Sequence, residues 1–196
     1  GGSYKDSEYI WMKDYLQLDG LVYKLVPIKT PENPNNRYLM GRIDSELMYN
    51  IVKQWSWGNS DSPDIYHDPE TRKNSISFRS NITRLANALI EDEEVDKAIT
   101  VLDLAMEKMP IETFGYYSLI TPIASAYYRA GATEKAQKIV KKITTGYQEY
   151  MRYYATWDND DQLSLMEDLV GNVERYKNLL AEVLQARDYE TLASLY

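Results

Sequence analysis

Apolar positions recur at helical spacing along most of the chain. Between Ser7 and Leu18 the residues Tyr9, Ile10, Trp11, Met12, Tyr15 and Leu16 form one stripe, and Gly20 is placed to end a helix; an Asp19-Gly20 hairpin competes for the same residues. Leu21 to Val26 is rich in β-formers and stops at Pro27, and Arg37 to Ile43 is a second β-like run beyond the breakers of Thr30 to Asn36. Pairing these two runs predicts a small two-stranded antiparallel element. Asp44 is placed to cap a helix with the stripe Leu47, Met48, Ile51, Val52 and Trp55, and Gly58 lies past its end. A polar connector follows from Gly58 to Asn74, a length that goes with surface wrapping or with a site.

From Ser75 the pattern becomes periodic on a larger scale. With Pro110 as the last proline of a roughly 34-residue tetratricopeptide unit starting at Arg79, the expected small and large positions fall on Ile82, Leu85, Ala86, Leu89, Ala98, Leu102, Ala105 and Pro110. The alanines let two antiparallel helices approach closely, and the larger residues fill the space around them. A second unit reads Ile120, Ile123, Ala124, Tyr127, a turn at Gly131, then Ala136, Val140 and Ile143. Its last helix is expected to run on through Tyr147, Tyr150, Met151 and Tyr154 toward Trp157. Asp158 to Asp161 breaks it and supplies caps for a helix carrying Leu163, Met166, Leu169, Val170, Val173, Tyr176, Leu180 and Leu184, and a short helix from Tyr189 to Leu195 closes the array. The predicted fold is mainly α: tetratricopeptide-like hairpins stacked with extra C-terminal helices, after a small α+β segment. Gly1 to Ser3 reads as a cloning remnant, 4–74 as the α+β segment and connector, 75–157 as two hairpins and 158–196 as capping helices, in one compact unit.

Composition narrows the chemistry. The 196 residues carry 22 Lys and Arg against 30 Asp and Glu, a formal charge of −8, which leaves no basic footprint for nucleic acid. There is no cysteine, so thiolate and Cys-ligated metal chemistry are excluded, and His67 is the one histidine, too few for most catalytic templates. No run of apolar residues approaches the roughly 18 needed to span a bilayer. Eighteen tyrosines suit half-buried helix seams as readily as a ligand groove. The tyrosine-rich run from Tyr147 to Trp157 is expected to pack within the chain.

Several constellations have plainer explanations. Asp158, Asp160 and Asp161 begin like a calcium loop, but the later glycine and bidentate-acid positions hold Leu163 and Leu169, so helix capping is favoured. His67 has Asp64 and Asp68 nearby but no nucleophile context, and Asn81-Ile82-Thr83 has the form of a glycosylation acceptor inside a helix. The more serious candidate is the concave face formed by the first helix of each hairpin. Its positions are Ser80, Thr83, Asn87 and Ile90 in the first unit and Ser118, Thr121, Ser125, Tyr128 and Arg129 in the second. Short and polar, they suit an extended peptide or a glycan, with Tyr128 as a stacking surface. They lack the paired Lys and Asn that grip a terminal carboxylate. The alternative is that the third helix fills this face. No catalytic residue, metal or cofactor is expected.

The runs Asp14 to Ile28, Trp57-Gly58-Asn59, Tyr66-His67-Asp68, Arg79, Arg84-Leu85-Ala86 and Ala98 to Pro110 resemble the carboxy-terminal soluble region of a bacterial family of polytopic membrane proteins. That family is similar to protein O-mannosyltransferases, which transfer a sugar from a lipid carrier. The resemblance implies that the chain is the non-catalytic tail of a membrane glycosyltransferase-like protein on the extracytoplasmic, periplasmic side, with the catalytic carboxylates elsewhere. The partners it implies are an acceptor polypeptide or glycoprotein and the membrane-embedded part. A free-standing adaptor, cytoplasmic or lipid-anchored, is the rival, and a two-carboxylate carbohydrate hydrolase is a third reading.

Overall fold

The computed structural model describes residues 10–30, 40–115, 119–158 and 165–195, which are mainly helical with one two-stranded antiparallel sheet near the amino end. Two compact units divide the chain, Gly1–Met109 and Pro110–Tyr196. The boundary falls between the two hairpins that the sequence places in 75–157.

In the first unit a 3-10 turn, Ile10–Tyr15, leads into β1 (Leu16–Asp19), which pairs with β2 (Val22–Leu25) from Leu16↔Leu25 to Asp19↔Val22. The helix expected to reach Leu18 is therefore replaced by the hairpin that competed with it. Gly20 takes φ +68 at the first central position of the two-residue turn, where a type II′ turn needs glycine. The second expected strand is corrected as well. Residues 31–39 lie outside the described residues, and Arg42 exchanges backbone hydrogen bonds with Leu16 and Leu18 on the free edge of β1, not with β2.

Helix α1 (Ser45–Lys53) is capped by Asp44, whose carboxylate accepts from the Leu47 N–H at 3.1 Å. Helix α2 (Pro69–Glu91) begins six residues before Ser75, because Asp68 accepts from the Glu70 and Thr71 N–H groups and Pro69 fills the first helical position. Its opening turns are mostly exposed and so carry no apolar signal. Helix α3 (Val95–Lys108) packs antiparallel to α2. Ile82, Leu85, Ala86, Leu89, Ala98, Leu102 and Ala105 are all buried, as the size pattern requires. Arg79 lies wholly inside, donating to the Met109 carbonyl at 2.7 Å, and burial pushes its pKa down to about 10, so it stays charged near neutrality.

In the second unit a short helix α4 (Ile111–Phe114) precedes α5 (Thr121–Arg129) and the long α6 (Thr133–Ala155), followed by α7 (Met166–Gln185) and α8 (Tyr189–Ser194). Residues 159–164, including the acids Asp160 and Asp161, lie outside the described residues. Ile120, Ile123, Ala124, Tyr127, Ala136, Val140 and Ile143 form the buried seam. Tyr147 packs inward against Tyr176 of α7 at 6.4 Å, while Tyr150, Tyr153, Tyr154 and Trp157 pair with one another along α6.

One turn joins three helix pairs. After α2, α5 and α7 the N–H of Glu93, Gly131 and Arg187 donates to Ile90, Tyr128 and Leu184, and the N–H of Glu94, Ala132 and Asp188 donates to Leu89, Tyr127 and Val183. These are the two bonds of a Schellman motif, with the middle residue at φ +64, +73 and +58. Aligned on that residue, Leu85, Ile123 and Leu179 coincide, as do Leu89, Tyr127 and Val183, and all six are buried. The α7–α8 pair is thus a third helix–turn–helix of the same local design, where the sequence reading had only capping helices.

Candidate functional site

Helix α5 carries the first part of the site. Ile123, Ala126 and Tyr127 turn inward, which leaves Ser125, Tyr128 and Arg129 on the opposite side of the same helix. Thr133 and Gln137 stand beside them on the first turns of α6. The end of α7 brings Glu182 and Gln185, and the turn into α8 brings Arg187, Asp188, Tyr189 and Glu190. Together these groups line an open pocket of about 750 Å³.

Asp188 organises its wall. One carboxylate oxygen accepts from the Tyr128 hydroxyl at 2.8 Å and the Gln137 amide at 2.9 Å, and the other accepts from the Thr191 N–H at 3.1 Å and so caps α8. Burial pushes this carboxyl up, but the hydrogen bonds from Gln137, Thr191 and Tyr128 outweigh it and hold its pKa below the ordinary carboxylate value. Tyr128 is driven the other way: burial first, then the neighbouring Asp188 charge, raise its pKa well above that of a free phenol. The phenol is therefore a committed donor that ties the third turn to α5. Tyr189 is largely exposed and presents its ring to solvent.

Of the residues predicted to line a concave face, Ser125, Tyr128 and Arg129 come together in this pocket. Thr121 is half-buried at the start of α5, and Ser118 lies outside the described residues. Ser80, Thr83 and Asn87 belong to α2 in the first unit: Ser80 is exposed, Asn87 half-buried, and Thr83 is buried with its hydroxyl donating to the Arg79 carbonyl at 2.8 Å. Sequence reasoning missed Gln137, Glu182, Gln185 and the run from Arg187 to Glu190. The available signal was Asp188 at the start of α8, three residues ahead of the Thr191 N–H it caps.

The other candidates are engaged in the fold. His67 Nε2 donates to the Ser60 carbonyl at 3.2 Å, and Asp68 caps α2. The Asn81 amide donates to the Gly20 carbonyl at 2.8 Å. Arg84 reaches the Tyr23 hydroxyl at 2.9 Å and the Met40 and Gly41 carbonyls at 2.8 and 3.0 Å. Of the runs that carry the family resemblance, Arg84 thus ties Asp14 to Ile28, which contains the β1–β2 hairpin, to α2. Trp55, Trp57 and Phe78 complete this seam with ring centroids 5.1 to 5.5 Å apart.

Among the described residues no helix is long and apolar enough to cross a membrane. Compared with known families, residues 1–47 match the family described as TMEM260-associated domain 2. This stretch contains the Asp14 to Ile28 run on which the resemblance began. No curated protein and no solved structure matches the chain.

Proposed function

We propose that the chain is a non-catalytic interaction and structural domain of a membrane-bound, glycosyltransferase-like protein. In this reading it contacts an acceptor polypeptide or glycoprotein, or braces the membrane-embedded part, on the extracytoplasmic side of a bacterial inner membrane. The observation that carries the reading is the TMEM260-associated match over residues 1–47, together with the resemblance of the same segment to proteins similar to O-mannosyltransferases. The three equivalent turns support helix pairs of tetratricopeptide-like design. Within the resemblance, Asp68 caps α2 and Arg79 and Arg84 hold backbone carbonyls, which fits a domain whose parent keeps its catalytic carboxylates elsewhere.

An immunoblot of fractionated native cells, with an antibody raised against this chain, tests the proposal. A band far larger than 22.8 kDa in the membrane fraction is the expected result. A band near that mass in the soluble fraction overturns it in favour of a free-standing adaptor.

A further inference from the structure

The lining of the second unit's pocket has a composition that selects among ligand classes. It holds three carboxylates, Glu182, Asp188 and Glu190, against two guanidinium groups, Arg129 and Arg187, so it has no surplus of positive charge for a phosphate or another anion. Its one aliphatic lining residue is Ala186, so it offers no apolar sockets for the anchors of an amphipathic peptide helix. The pocket is built from helices and a turn and presents no strand edge to an extended peptide. What remains is a dense mixture of donors and acceptors beside an exposed aromatic face. A sugar matches that mixture, because each hydroxyl donates one hydrogen bond and accepts others, and ring C–H bonds rest on the face of a tyrosine.

We propose that this pocket is a binding site for a neutral carbohydrate, with Tyr189 as the stacking face and Glu182, Gln185, Arg187 and Glu190 as partners of the hydroxyls. The volume of about 750 Å³ falls within the range of roughly 300–1,000 Å³ of small-molecule sites. Tyr128, Gln137 and Asp188 are engaged with one another and serve as a rigid wall, so the site is shaped before the ligand arrives. The proposal deepens the acceptor-contact reading by naming a glycan as what is touched.

The test is an NMR titration of the whole 196-residue chain with methyl α-glucopyranoside, methyl α-mannopyranoside and maltotriose, and in parallel with diglycine and inorganic phosphate. Expected are saturable shifts at the Gln185 side-chain amide and the 185–190 backbone with at least one of the sugars. Affinity should fall about tenfold in Gln185→Ala and in Tyr189→Ala, the loss of one good contact. Arg187→Gly should weaken sugar binding while leaving the melting temperature at or above that of the unaltered chain, which separates a lost contact from a lost fold. Absence of shifts with every sugar, or saturation of these resonances by diglycine or phosphate alone, overturns the proposal. The titration needs no membrane parent, so its failure and the failure of the fractionation experiment are distinguishable.

Discussion

A carboxylate that accepts from a phenol, an amide and a backbone N–H is stabilised in its charged form, and Asp188 is in that position. Because its folded pKa lies below the unfolded value of about 3.9, its contribution is fully present above that pH and is lost as the pH falls through the folded pKa. Asp188→Asn should therefore lower stability by about 1–3 kcal/mol at pH 7 and flatten the acid limb of the stability profile below about pH 4, as measured by urea unfolding at a series of pH values. The glycines give a second comparison. A Cβ at Gly20 would sit 2.9 Å from the Trp55 ring in addition to the strain of φ +68, whereas at Gly131 nothing lies within 4 Å and only the backbone strain remains. Gly131→Ala should cost about 1 kcal/mol and Gly20→Ala more than twice that, by equilibrium denaturation. Arg187→Gly should add about 0.5–1 kcal/mol in the same measurement, since it relieves a left-handed arginine. At this scale Gly131 was legible as a turn, because glycine announces a positive φ. Arg187 and Glu93 were silent: their turns are fixed by backbone hydrogen bonds that any residue can make at a modest cost in strain.

At the scale of elements, the β1–β2 hairpin shows where pattern reading failed. Tyr9 to Leu16 keeps a helical stripe, yet from Leu16 onward the chain alternates too briefly for a period to be decided, and the glycine that would end a helix equally starts a two-residue turn. Tertiary contacts settled the choice. Leu18 is fully buried, the Asn81 amide holds the Gly20 carbonyl, and Arg84 spans Tyr23, Met40 and Gly41, all at long range in sequence. Arg84→Ala should cost about 1–3 kcal/mol and raise amide exchange in Leu16–Leu25 before it does so in α3. Arg84→Lys should not restore protection, because a point charge cannot serve three acceptors spread around a planar fork. The helix pairs were legible from residue size alone, since Ala86 and Ala98 mark close approach in the first pair and Ala124 and Ala136 in the second. The third pair escaped because Leu180 and Leu192 stand where those alanines would. The pocket escaped with it, since more than half of its lining lies on that pair and its turn.

For the whole molecule, the division at Met109 and Pro110 predicts that 1–109 and 110–196, expressed separately, each unfold cooperatively. Far-UV circular dichroism melts of the two fragments check this, and a fragment that melts without a transition would show that it depends on the other. The excess of acid over base was legible from composition, and so was the absence of thiol chemistry. The grouping into units was not, because an internal boundary depends on which contacts are missing, and a sequence displays only those that are possible. The turn used three times has a practical consequence. Its middle residue is glutamate, glycine or arginine without a change in hydrogen bonding, and at Gly131 a Cβ would meet nothing within 4 Å. With no native cysteine in the chain, a single cysteine at position 93 or 187 becomes a unique attachment point for a fluorophore or spin label, on a scaffold that already accommodates different side chains there.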